Sequence, residues 1–143
     1  MMTPYEHLRV VQVAYNKATE TVCKKYKLKH TEFDILIYLS QFPDKATATD
    51  IVKKMDLSKS LVSISLRRLE ELGYVEGEFL GTNHRTIYLH LTDRASEVID
   101  DGNNARAKFI TSMLDGLDED EVKILVELLT KIKKNMMSYI KTI

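Results

Sequence analysis

The chain has 143 residues, 44% hydrophobic and 29% charged, with 5 Gly, 2 Pro and one cysteine. That composition suits a single folded domain or one compact unit of two lobes, and it excludes chain-wide disorder and a turn-rich β-sandwich. The 21 basic and 21 acidic side chains cancel, so net charge gives no global signal for nucleic acid.

Charge is unevenly distributed. Residues 1–30 carry 6 basic and 2 acidic groups, residues 31–100 carry 8 and 12, and residues 101–143 carry 7 and 7. No apolar run approaches the roughly 20 residues of a membrane span, so no membrane partner is expected. The first residues lack a basic region followed by an apolar stretch, and Cys23 has no second cysteine to pair with. A reducing, cytoplasmic setting is the expectation.

The first segment reads as a helix from about Pro4 to Tyr26. Leu8, Val11, Tyr15, Ala18 and Val22 recur with the heptad period, as core or as an interchain seam. Thr31 is placed to cap a second helix carrying Phe33, Leu36, Ile37 and Leu39. Pro43-Asp44 marks the loop after it. Thr47-Ala48-Thr49-Asp50 opens a short third helix with a capping-box pattern, and Ile51, Val52 and Met55 are its apolar positions. Asp56-Leu57-Ser58 is a tight connection. Ser58 caps a fourth helix that runs to Leu72 and is closed by Gly73.

Beyond Gly73 the period changes. Tyr74, Val75 and Phe79 read as a strand, Gly81-Thr82-Asn83-His84 as a turn, and residues 86–91 alternate with Ile87, Leu89 and Leu91 on a buried face. Thr92 is placed to cap a long helix whose middle Gly102 weakens, allowing a bend, and Gly116 ends it. Asp118-Glu119-Asp120-Glu121 starts a last helix, Glu119 to Ile140, with the stripe Val122, Leu125, Leu129, Ile132, Met136 and Ile140.

Helix, short turn, helix and hairpin over residues 47–91 form a helix-turn-helix with a wing. The second helix of such a motif can lie in the DNA major groove. On a helical wheel Val62, Leu66 and Leu69 share one face, while Ser60, Ser63, Ile64 and Arg67 fall opposite, with Lys59 beside them in the first turn. Small hydroxyl side chains let the backbone approach base edges, and Arg67 reaches either a guanine or a phosphate. A plain amphipathic surface helix fits the wheel equally well.

Several stretches resemble one family. They are Leu28-x-x-x-Glu32-Phe33-x-x-Leu36-x-x-Leu39, Thr47-x-x-Asp50-Ile51-Val52-x-x-Met55-x-Leu57-Ser58, and Ser58-Lys59-Ser60-x-Val62-Ser63-x-x-Leu66-x-Arg68-Leu69-Glu70-x-x-Gly73-Tyr74-Val75. Asn83-His84-Arg85 takes the wing-tip D-x-R position, and Leu91-Thr92 matches the start of the next helix. Together they resemble the MarR-type winged-helix transcriptional regulators. The resemblance implies a mostly α fold with a small β-hairpin, a winged helix-turn-helix flanked by long dimerisation helices. It divides the chain into an N-terminal helix (1–30), a DNA-binding lobe (31–91) and C-terminal helices (92–143).

The implied function is a homodimeric regulator of transcription, expected to be a repressor, on a pseudo-palindromic operator in double-stranded DNA. A small-molecule effector is a further implied partner. The candidate DNA-binding residues are Ser58, Lys59, Ser60, Ser63, Arg67, Arg68, Asn83, His84 and Arg85. The alternative, which the acidic middle segment favours, is a winged-helix protein-interaction module without DNA binding.

No catalytic, metal or cofactor site is expected. His7, His30, His84 and His90 are scattered without ligand spacing, and no nucleophile stands with a base. Cys23 reads as a packing thiol more readily than a peroxide sensor, although Lys24 and Lys25 adjoin it.

Overall fold

The computed structural model describes residues 1–43 and 46–143. Asp44, read above as part of a loop, lies outside the described residues. The element order is α1 (Pro4–Lys25), α2 (His30–Gln41), α3 (Ala48–Met55), α4 (Lys59–Glu71), β1 (Val75–Leu80), β2 (Asn83–Leu91), a 3₁₀ turn (Asp93–Ala95), α5 (Ser96–Met113) and α6 (Glu119–Ile140). Two compact units emerge, Met1–Phe109 and Ile110–Ile143. This differs from the three-part division expected above. Val22 and Cys23 of α1 pack with Phe33 and Ile37 of α2, so the first helix shares the core of the winged unit. Val98 of α5 belongs to that unit's main core.

Local chemistry sets most helix starts. Thr3 and Glu6 form a reciprocal capping box at α1, Thr47 and Asp50 at α3, and Asp118 and Glu121 at α6. Ser58 Oγ accepts from Leu61 N–H at 3.1 Å, as expected. The second helix departs from the expectation. It starts at His30, not after Thr31, because Glu32 reaches back to accept from Lys29 N–H at 2.8 Å. Thr92 also departs. Its hydroxyl donates to the Gly73 carbonyl, so it ties the wing to α4 instead of capping α5.

α2 is the centre of the first unit. Glu32, Phe33, Ile35, Leu36, Ile37 and Leu39 are all buried, so the helix is covered nearly all round. The main core joins these to Ile51, Val62, Leu66, Leu69, Val75 and Leu89. Gly73 closes α4 at φ +81° and turns the chain into the wing. Between the helix-turn-helix helices, Asp56 takes the left-handed region at φ 53°.

β1 and β2 pair antiparallel, with Val75 opposite Leu91 and Gly77 opposite Leu89, and Ala46 adds a bridge to Leu89. The hairpin turn is shorter than expected. Gly81 and Thr82 alone make it, at φ +58° for Gly81, and Asn83 and His84 already belong to β2. Of the three residues expected on a buried face, only Leu89 is buried; Ile87 is 52% exposed.

Gly102 does not bend α5, which runs unbroken through it. It marks a close approach instead. A Cβ there would stand 2.6 and 2.9 Å from ring atoms of Phe33 and 3.1 Å from Ile37 Cδ1. Phe33 is fully buried and has no room to withdraw. Gly102→Ala is therefore expected to destabilise the first unit by about 1–2 kcal/mol, overpacking outweighing the helix-propensity gain of alanine. A thermal melt with an unchanged or higher midpoint would contradict this packing.

The second unit is dominated by α6. Ile124, Val126, Leu128, Ile132, Met136, Met137, Tyr139 and Ile140 are all large, apolar and exposed. With Val122, Leu125 and Leu129 they take more than half of the helix circumference, wider than the single stripe expected.

Candidate nucleic-acid interface

α4 is fixed from behind by its apolar face and by one ion pair. Val62, Leu66 and Leu69 are buried, as the wheel predicts. Arg68 leaves this helix on the inner side. Its Nε lies 3.0 and 3.2 Å from the two carboxylate oxygens of Glu32, and its Nη2 donates to the Lys27 carbonyl. Glu32 is 2% exposed, so this is a buried charge matched by a guanidinium. Here the structure corrects the expected site. Arg68 is committed to bracing α4 against α2 and the turn after α1, not presented outward.

The outward residues do come together. Lys59, Ser60, Ser63, Ile64 and Arg67 are exposed, Ile64 at 60%, and Ser58 is exposed at the N-cap. Among the described residues no hydrogen bond or ion pair engages the side chains of Lys59, Ser63 or Arg67. Beside them lies a concavity of about 700 Å³ framed by α3, α4 and β2. Val52, Val62, Leu66, Ile87 and Leu89 contribute its apolar walls, Lys53, Lys59 and Arg67 its cations, and Glu70 its acid. Thr49 and Lys53 line it too, and the sequence reading missed both. They are an exposed i,i+4 pair on α3, a spacing visible on a wheel of that helix.

Of the acids of residues 31–100, Glu70 lines this groove, while others are engaged elsewhere. Glu32 is buried against Arg68, Asp50 is spent in the α3 capping box, and Glu76 and Glu78 stand 3.3 and 3.8 Å from the ring nitrogens of His90. Locally the groove is cationic although the segment is not. At the far end of the hairpin, Asn83, His84 and Arg85 are exposed. Asn83 Oδ1 accepts from Arg85 N–H at 3.0 Å, which orders the start of β2.

Cys23 is 4% exposed, with its Sγ 3.7 Å from His30 Nδ1. Burial, and secondarily the Asp34 charge, push its thiol up to about 11. Asp34 itself is raised by burial, partly offset by the Tyr15 hydroxyl that donates to it at 3.3 Å. The folded protein is expected to react with a thiol reagent at neutral pH roughly two orders of magnitude more slowly than the unfolded chain. Equal rates in the presence and absence of denaturant would contradict that burial.

With this geometry in view, the comparisons with known proteins are specific. A family model described as the MarR family matches residues 26–86. The HTH-type transcriptional regulator MgrA of Staphylococcus aureus is 30% identical over 111 residues, covering 78% of this chain and 74% of MgrA. The chain belongs to the MarR family.

Solved structures agree on the fold. A putative MarR-family regulator from Listeria monocytogenes, solved complexed with a 26mer DNA, superposes with a TM-score of 0.86 at 18% identity, covering 95% of this chain and 90% of that one. The S. aureus MepR–DNA complex gives 0.81 at 18% identity, covering 94% and 99%. The MarR winged helix-turn-helix is thus the architecture here. No helix among the described residues is long and apolar enough to cross a membrane.

Proposed function

We propose that this MarR-family chain is a DNA-binding regulator of transcription, a repressor acting as a homodimer on double-stranded DNA. The carrying observation is the outer face of α4. It offers Ser60, Ser63 and Arg67, whose side chains have no hydrogen bond or ion pair among the described residues, beside Lys53 and Lys59, on a helix held rigidly from behind by Arg68 and Glu32. The names of the relatives, and the two neighbours solved with DNA, support the same reading.

In this reading α4 enters the major groove. Ser58, Lys59, Ser60, Ser63 and Arg67 face bases and phosphates, and Asn83, His84 and Arg85 approach the flanking minor groove. Phosphate neutralisation supplies much of the affinity, so binding weakens as salt rises. An anisotropy titration of a labelled mixed-sequence duplex at several salt concentrations tests this. Absence of binding at low salt, or salt-independent binding, would favour the protein-interaction module instead.

The second copy is held by the chain ends. Leu8, Val10, Val11 and Val13 of α1 are 37–58% exposed, and α6 contributes the wide apolar arc described above. Such patches rarely remain uncovered on a monomer. Ile132→Glu is expected to place a charge in the covered surface and shift the protein to monomer or aggregate in light scattering. A folded, unchanged dimer would remove Ile132 from that surface. A small-molecule effector would act by preferring one spacing of the two recognition helices over another.

A further inference from the structure

We propose that the bulged tip of the wing inserts Phe79, with the His84 ring tilted against it, as a wedge into the minor groove of duplex DNA, beside Arg85. The proposal rests on the DNA-binding reading above and adds a shape-reading element to it.

The tip is irregular in a defined way. Glu78 pairs with Tyr88 and Leu80 with Asn83, so a single residue of β1, Phe79, lies opposite four of β2, His84 to Ile87. A bulge of this kind bends the strand and re-aims its side chains. Phe79 is 45% exposed and Leu80 40% exposed, an unusual place for two large apolar side chains. The Phe79 ring is not loose, because its centroid lies 5.1 Å from that of His84. Arg85 is ordered next to it by the hydrogen bond from its amide to Asn83.

Charge indicates what this tip fits. Residues 79–85 contain an arginine and a histidine and no acid. Of the hairpin's two acids, Glu76 stands towards its other end, and Glu78, next to Phe79, has its carboxylate 3.8 Å from a ring nitrogen of His90. An acidic protein surface would pair Arg85 but leave Phe79 and Leu80 uncovered. An apolar protein surface would cover them and strand Arg85. The minor groove satisfies both, with phosphates at its rim and base steps that accept apolar wedges. The tip is also continuous with the candidate interface, because Ile87 and Leu89 of the same hairpin line the groove beside α4. Flexible pyrimidine–purine steps, which unstack most readily, are the preferred seat.

The test uses a short duplex enriched from a random pool by the protein, with 2-aminopurine placed in its flank. The wild type is expected to raise 2-aminopurine emission at one flanking step. Phe79→Ala should abolish that rise and weaken binding about tenfold. Phe79→Leu, which keeps the bulk, should retain most of both. Circular dichroism should show all variants folded, since the side chain is half-exposed. Unchanged emission and affinity for Phe79→Ala would overturn the wedge while leaving DNA binding by α4 intact. Loss of self-association in Phe79→Ala, with DNA binding unchanged, would assign the tip to a second copy and overturn the proposal too. Failure of the wild type to bind any duplex at low salt would overturn the functional reading itself.

Discussion

Arg68→Ala is expected to destabilise the winged unit by about 2–4 kcal/mol. The reason is asymmetry. A buried ion pair adds little over an apolar replacement, but removing one partner leaves the other charge stranded. Glu32 is 2% exposed and would lose the guanidinium that sits 3.0 Å from its carboxylate. The range is set below that for fully buried pairs because Arg68 is 37% exposed and partly screened by water. The Lys27 carbonyl would also lose its donor, at a residue already held at φ 56°. Adding Glu32→Gln to Arg68→Ala should recover part of the loss, because a neutral amide still accepts from Lys29 N–H. Denaturant midpoints of the single and double variants check this. A single variant as stable as wild type, or a double variant less stable than the single, would contradict the brace.

Arg67→Ala should behave in the opposite manner. The side chain lies one position away yet points outward, so stability should stay within about 0.5 kcal/mol of wild type. DNA affinity should fall. If Arg67 reads a base, the loss is about 5- to 150-fold on the enriched site and smaller on unrelated duplexes, which corresponds to roughly 1–3 kcal/mol. If it meets phosphate, the loss is even across sequences and the salt slope shrinks by about one. Equal affinity on every duplex would remove Arg67 from the interface. The paired result separates the two arginines cleanly, with Arg68 governing fold and Arg67 governing binding.

That separation also shows what the sequence could disclose. Arg67 was legible because helix periodicity alone opposes it to Val62, Leu66 and Leu69. The capping boxes at Thr47 and Asp118, the Ser58 cap, the Gly73 stop and the bounds of α6 were legible for the same reason, each being set within a few residues of chain. What escaped depends on distant partners. Arg68 and Glu32 are 36 residues apart, and no local pattern says that one seeks the other. Thr92 looks like a cap until Gly73 offers it a carbonyl across 19 residues. Gly102 looks like a weak point until Phe33 is found beneath it. The wing tip escaped because period-2 reasoning assumes unbroken register, and the bulge opposite Phe79 breaks it; Ile87 keeps the face of Leu89 but lines the open groove beside α4, so it stays exposed.

In the proposed function, two copies of this MarR-family chain present two α4 helices to DNA. Enrichment of duplexes from a fully random pool tests it most directly. The expected result is an inverted repeat with half-sites about 10 bp apart, centre to centre, set by the two-fold axis of the dimer and the pitch of the duplex. A pool that stays random after repeated rounds at low salt, or that converges on a single unrepeated half-site, would contradict it.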